Sequence, residues 1–183
     1  PHLGYIHRGV EKISESYSYP QTLAFTDRLD YLSATMNRHA LVGVIEEAMG
    51  VELTDRIKYI RTIMDELQRL NSHLLFYSCC AQDVGALTAF IYGMRDREQV
   101  INVMEETTGG RLIMNYYRIG GCQADIDPNF VKNVKKLCAY IKPMFKEYQD
   151  VFTGNVIMEN RFKGVGMLSR EDAISYGCTG GTG

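Results

Sequence analysis

Glu66, Arg69, His73 and Tyr77 recur at spacings of three and four residues, so on a helix they share one face. The set combines an acid, a fixed cation, an imidazole and a phenol. Such a row is either a solvated stripe of ion pairs or a polar seam turned towards an inner cavity. Asp83 follows an apolar stretch, 74–81, and precedes Val84-Gly85-Ala86-Leu87. A carboxylate there is either the N-cap of the next helix or a partly buried acid with a shifted pKa, and spacing alone favours the cap. Arg28-Leu29-Asp30-Tyr31 packs a cation, an acid and a phenol into four residues at a helix start, which by itself reads as a capped terminus. His7-Arg8 stands before Gly9 and by itself carries little.

Several other chemistries lack their fingerprints. The sequence contains no G-x-x-x-x-G-K-S/T, no G-x-G-x-x-G after a strand, no H-E-x-x-H and no G-x-S-x-G. The histidines His2, His7, His39 and His73 do not make a metal-ligand spacing, so no metal site is expected. Five cysteines, with Cys79 and Cys80 adjacent and no C-x-x-C, argue against a disulfide framework and for a reducing compartment. Each reads as a small buried hydrophobe.

The elements that would position these residues are mostly helical. A helix is expected from near residue 31, with Leu32, Met36, Ala40, Val44 and Ala48 on its apolar side and Gly50 as its C′ residue. The next starts at the N-cap Thr54 with Asp55 in its first turn, and Ile57, Ile60, Met64, Leu67, Leu70 and Leu74 make one apolar stripe. A third follows Asp83 and Gly85, runs with some break to Thr107 and stops at Gly109-Gly110. Ile119-Gly120-Gly121 signals a turn. Asp127-Pro128 signals a helix start, and its stripe runs from Val131 through Leu137, Ile141 and Tyr148 to Phe152, with a kink expected at Pro143 and an end at Gly154. A short last helix is expected at Ser169. Tyr17 to Thr22 looks extended, because Pro20 discourages helix at Tyr19. Helices with one apolar face each must bury those faces together, so the fold is mainly α, a helical bundle with small β or extended additions. The expected layout is an extended or β segment over 1–28, the bundle over 29–154, and a short helix and loop over 155–183.

The 183 residues carry 20 Lys plus Arg against 22 Asp plus Glu, a net charge of −2, so no overall basic field serves nucleic acid. The apolar runs fall far below the ~18 residues of a membrane span. The ends, Pro1-His2-Leu3-Gly4 and Gly180-Gly181-Thr182-Gly183, point to a piece of a longer protein.

Several blocks, in order, carry a resemblance. They are the string from Pro1 to Lys12 (P-H-L-G-Y-I-H-R-G-V-E-K), Asp27-Arg28-Leu29-Asp30-Tyr31-Leu32, Tyr59-Ile60-Arg61, and the run from Glu66 to Leu74 (E-L-Q-R-L-N-S-H-L). Asp83-Val84-Gly85-Ala86-Leu87-Thr88, Arg95-Asp96-Arg97-Glu98 and Arg118-Ile119-Gly120-Gly121 continue it. The chain resembles the large quinone-site subunit of respiratory complex I (its D subunit), a family akin to the large subunits of nickel–iron hydrogenases. In the hydrogenases the segment at Arg28 reads R-I-C-G-x-C, and its thiolates help hold the metal centre. Here Asp30 and Ser33 occupy the cysteine places, and oxygen ligands replace soft thiolates poorly, which argues against hydrogen chemistry.

The resemblance implies a hydrogenase-large-subunit-like fragment of a proton-translocating NADH:quinone oxidoreductase. It implies quinone as substrate and a 4Fe–4S cluster held by a neighbouring iron–sulfur subunit, not by this chain. Other peripheral-arm and membrane-arm subunits would be partners, and nucleic acid would not. The place implied is peripheral, on the cytoplasmic face of a bacterial inner membrane or its matrix-side equivalent. Tyr31 matches the tyrosine that hydrogen-bonds the quinone head group, opposite a histidine from a loop before Pro1. Asp83 matches the acid that hydrogen-bonds that histidine, which displaces the cap reading. Arg8 and Arg28 match arginines near the cluster, where fixed positive charge favours the reduced state. Glu66, Arg69 and His73 are quinone-cavity candidates. Many relatives carry a histidine where Gln123 stands, and a glutamine does not titrate, which puts any pH dependence attributed to that histidine in doubt here. The alternatives are the large subunit of a hydrogenase-like membrane complex, one fed by ferredoxin or coenzyme F420, and a helical assembly module without chemistry of its own.

Overall fold

The computed structural model describes residues 1–179. Residues 1–9 are irregular, 1–8 of them exposed, and short helices α1 (Val10–Ser14) and α2 (Tyr19–Thr26) follow. Then come α3 (Ala34–Met49), α4 (Asp55–Asp83) and α5 (Leu87–Thr108). A minimal antiparallel hairpin, β1 (Tyr117–Arg118) and β2 (Gly121–Cys122), precedes α6 (Phe130–Tyr148), which passes into a π-helical turn, Gln149–Thr153. The short α7 (Val156–Phe162) and α8 (Arg170–Ser175) complete the described chain. The fold is mainly α, as the periodicity requires. Gly180 to Gly183, the end of the expected C-terminal loop, lies outside the described residues.

The centre is the α4–α5 pair, joined by a turn of three residues, 84–86. Met64, Leu67 and Leu74 of α4 meet Val100, Val103 and Met104 of α5, with Val42 and Ile45 of α3 and Leu137 and Ile141 of α6 closing the core. The two central helices approach closely at Gly93, where an added Cβ would lie 2.2 Å from Ser78 Oγ. Thr54 accepts from Ile57 N at the start of α4, and Ser169 accepts from Asp172 N at the start of α8, both as expected. Gly50 and Gly109 end α3 and α5 in the left-handed conformation.

Several expectations need correction. Residues 19–26 are helical rather than extended. The backbone N–H and hydroxyl of Ser18 both donate to Gln21 Oε1, and Pro20 falls in the first turn, where its missing N–H has no partner to lose. Helix α3 starts at Ala34 and buries Ala34, Thr35, Arg38, Val42, Ile45 and Glu46, while Val44 is exposed. Two buried ionic side chains, Arg38 and Glu46, share that face with Val42 and Ile45. Asp83 is the last residue of α4 and the N-cap of α5 is Ala86, so the capping reading fails. Helix α5 runs unbroken. Asp127 accepts from Asn129 N in a tight turn, so α6 begins at Phe130, after Pro128. Helix α7 carries no periodic signal of its own.

Candidate functional site

Tyr31 lies in the 27–33 loop between α2 and α3 and is 60% exposed. The loop is held from both sides. Asp30 Oδ1 accepts from Leu32 N, Asn37 Nδ2 donates to Asp30 O at 2.9 Å, and Gln68 Nε2 donates to Leu32 O at 2.7 Å. Gln68 is buried near the middle of α4, so the Tyr31 loop docks there. Asp83 lies fifteen residues further along the same helix. At 1.5 Å and 100° per residue it sits about 22 Å away along the axis and about 60° round it. The loop and Asp83 therefore share one side of α4 but do not touch.

Asp83 is exposed, and its carboxylate has no hydrogen-bond or ion-pair partner among the described residues. It occupies the negative end of a 29-residue helix, where a carboxylate opposes the dipole. Glu66 and Arg69 form an exposed ion pair at 3.1 Å, with His73 exposed one turn on. These three lie about 100–160° round α4 from Gln68, on a different side from the Tyr31 loop. Tyr77, the fourth of that row, turns inward against Tyr148 and Phe152, and burial followed by the Glu147 charge pushes its phenol up to about 12. The row thus divides into a solvated pair, an exposed imidazole and a packed phenol. Arg28 folds back so that its guanidinium donates to Ala24 O, and Arg8 is exposed in the irregular segment.

The blocks that carried the resemblance also hold a polar framework that spacing alone missed. Arg38 and Asp27, both 1% exposed, pair at 2.5 Å. Arg38 also donates to Leu23 O and Tyr117 O, and Asp27 accepts from Asn115 N. Arg61 makes a two-pronged pair with Glu46 at 2.7 and 2.8 Å and reaches Arg118 O and Gly121 O, while Gly120 N donates to Glu46. Burial alone would raise the Glu46 carboxyl, but the Arg61 guanidinium and the Gly120 amide outweigh it and hold it below the usual range. Tyr117 donates to Asp65 Oδ1, and Asp65 Oδ2 bonds His39 Nδ1 at 2.6 Å. In the α5–α6 contact the wholly buried Asp96 receives Arg95, Tyr140 and Tyr148. Burial works against its charge, yet these donors keep its pKa low. The available signal was charge on an otherwise buried helix face at Arg61 in α4 and Asp96 in α5, while Arg38 and Glu46 in α3 gave none. Gln123 accepts from Arg118 Nη2 at 2.8 Å.

The five cysteines are free, and they are exposed or half-buried rather than buried. Among the described residues no three His, Cys, Asp or Glu side chains converge. A 4Fe–4S cluster takes four thiolates, and these residues do not make that ligand set. No helix among the described residues is long and apolar enough to cross a membrane.

Comparison with known proteins adds a family. Residues 83–182, more than half of the chain, match the family described as "Respiratory-chain NADH dehydrogenase, 49 Kd subunit". The chain is 68% identical over 182 residues to the C/D subunit of NADH-quinone oxidoreductase from Phocaeicola vulgatus, covering 100% of this chain and 35% of that one. It is 44% identical over 180 residues to the D subunit of NADH-quinone oxidoreductase from Geobacter sulfurreducens, covering 98% of this chain and 46% of that one. With the D subunit from Bacillus cytotoxicus the identity is 43%, over 98% and 49% of the two chains. The chain thus spans about a third of the C/D relatives and just under half of the D relatives. It belongs to the family of the 49 kDa, or D, subunit of respiratory-chain NADH dehydrogenase.

Proposed function

We propose that the chain forms one wall of the quinone-reduction site of a proton-translocating NADH:quinone oxidoreductase, with Tyr31 and Asp83 as its working groups. The observation that carries the reading is the position of Asp83. An exposed carboxylate at the negative end of a long helix, capping nothing, works against helix stability. Chemistry outside the helix gives it a reason to be there. Tyr31 is the matching donor: a phenol whose O–H would hydrogen-bond a quinone oxygen and stabilise charge developing on it. Reduction of a quinone takes up two protons with two electrons, and a phenol beside the oxygen can pass one of them. Asp83 would act through the histidine that the resemblance assigns.

Electrons would arrive from a 4Fe–4S cluster held by a neighbouring iron–sulfur subunit. Arg8 and Arg28, exposed on irregular chain and at the end of α2, would face that subunit and supply fixed positive charge. Glu66, Arg69 and His73 join the proposal as an exposed polar surface on another side of α4. Coupling to membrane-arm subunits and a peripheral place at the cytoplasmic face belong to the same proposal.

The test uses the assembled complex. Tyr31→Phe is expected to lower quinone reductase activity strongly while electron entry, read with an artificial acceptor, stays intact. Undiminished quinone turnover removes Tyr31 from the site. Asp83→Asn is expected to lower turnover, and normal kinetics with a lower melting temperature would return it to a structural role.

A further inference from the structure

The turn that follows Asp83 is fastened from outside by a residue far away in sequence. At the end of α4, Cys80 O, Ala81 O and Gln82 O accept from Val84 N, Ala86 N and Gly85 N. The carbonyl of Val84, one residue beyond Asp83, accepts from the guanidinium Nη1 of Arg161 in α7. Gly85 makes the approach possible. Its φ is +87°, and a Cβ there would lie 3.2 Å from Arg161 Nη1. A cation at this spot also faces the negative end of α4, the end that carries the Asp83 carboxylate.

Seven residues do not hold a helix on their own, so α7 depends on its packing. Met158 of α7 and Phe152 of the π-helical turn pack on Ala81 and Ala89, with Val84 and Ala86 against the same cluster. Phe162, next to Arg161, meets Phe152 edge-on at 6.0 Å. Asn155 caps α7 by accepting from Ile157 N at 2.9 Å. The π turn that sets the direction of α7 closes at Gly154, where a Cβ would lie 2.9 Å from Gln149 O. One small apolar cluster therefore seats both the α4–α5 turn and the helix that grips it.

We propose that Arg161 is a positioning residue for Asp83: it fixes the backbone one residue beyond the carboxylate and balances the charge at that end of α4. The proposal rests on the reading of Asp83 as a working group of the quinone site. Arg161 touches no substrate in it.

The test is made in the assembled complex with Arg161→Ala, Arg161→Lys, Asp83→Asn and the double variant Arg161→Ala/Asp83→Asn. The measurements are kcat and KM for a short-chain quinone, ferricyanide reduction by electrons taken off before the quinone site, and the amount of complex. Misplacing a group by about an ångström costs tenfold to a hundredfold in rate, so Arg161→Ala is expected to lower quinone kcat by at least about tenfold. Ferricyanide reduction and complex content should hold, and Arg161→Lys, which keeps a cationic donor, should recover most of the rate. The double variant should be no slower than Asp83→Asn, because Arg161 acts through Asp83. Losses that multiply in the double variant overturn the proposal, as does normal quinone kinetics in Arg161→Ala beside a slow Asp83→Asn. Normal kinetics in Asp83→Asn overturns the underlying reading and this proposal with it. Where Arg161→Ala does not assemble, Arg161→Gln, which keeps a neutral donor, takes its place in the same comparison, and the same outcomes support or overturn the proposal.

Discussion

Gly93 offers a perturbation whose size follows from three distances. A methyl group at this position would stand 2.2 Å from Ser78 Oγ, 2.9 Å from Tyr77 Cδ1 and 3.2 Å from the Leu74 carbonyl oxygen. Ser78 is wholly buried and its hydroxyl donates to Leu74 O at 2.8 Å. Rotating Oγ out of the way breaks that bond in a place without water, which costs about 1–3 kcal/mol. The Tyr77 ring and the Leu74 carbonyl still crowd the methyl, and forcing α4 and α5 apart costs about 1–3 kcal/mol more. The better helix propensity of alanine returns about 1 kcal/mol. Gly93→Ala should therefore lose about 1–5 kcal/mol, or about 2–20 °C of Tm for a unit of this size. Differential scanning fluorimetry of the purified complex containing the full-length subunit reads the shift. Adding Ser78→Gly should restore a good part of it by removing the closest atom. Gly43→Ala is the control. It lies inside α3 with nothing within 4 Å of the new carbon and should raise or hold the Tm. An unchanged Tm in Gly93→Ala, or no difference between Gly93→Ala and Gly43→Ala, refutes the close-packing argument.

Two further outcomes follow from the buried charges. Arg61→Met leaves the Glu46 carboxylate buried with only the Gly120 amide, a loss of about 3–5 kcal/mol that should deplete the assembled complex; Arg61→Met/Glu46→Met should recover it, and equal depletion by both would refute the pairing. Asp96 has a depressed pKa, so its contribution is present above its ordinary value of about 4 and fades as pH falls through the lower folded value. Asp96→Asn should lower Tm at pH 7 and flatten the acid limb of the Tm–pH curve, and an unchanged acid limb counts against this role.

The long helices were legible because their apolar spacing and end signals agree. Met64, Leu67 and Leu74 repeat at helical intervals between Thr54 and Gly85, and the structure buries those same residues. Helix α2 was hidden by Pro20, which reads as a breaker unless the Ser18–Gln21 cap places it in the first turn. The buried side of α3 was hidden for a different reason. Arg38 and Glu46 look like surface residues until Asp27, Arg61 and the main chain of the hairpin supply their partners. Pairing between elements leaves no periodic trace. The candidate site was legible only through the resemblance. Tyr31 and Asp83 are separate in sequence and separate in space, so no local pattern joins them, and spacing alone made Asp83 a cap. The grip of Arg161 on Val84 O, spanning 77 positions, could not be read from either segment.

The attachment of the β1–β2 hairpin has a bearing on how this part of the protein can vary. Arg38 and Arg61 take hold of it through the main-chain oxygens of Tyr117, Arg118 and Gly121, and Glu46 through the amide of Gly120. Main-chain atoms, not side chains, make those bonds on the hairpin's side. A change of side chain in the hairpin therefore leaves these particular acceptors in place. Replacing an arginine beneath the hairpin carries the opposite consequence.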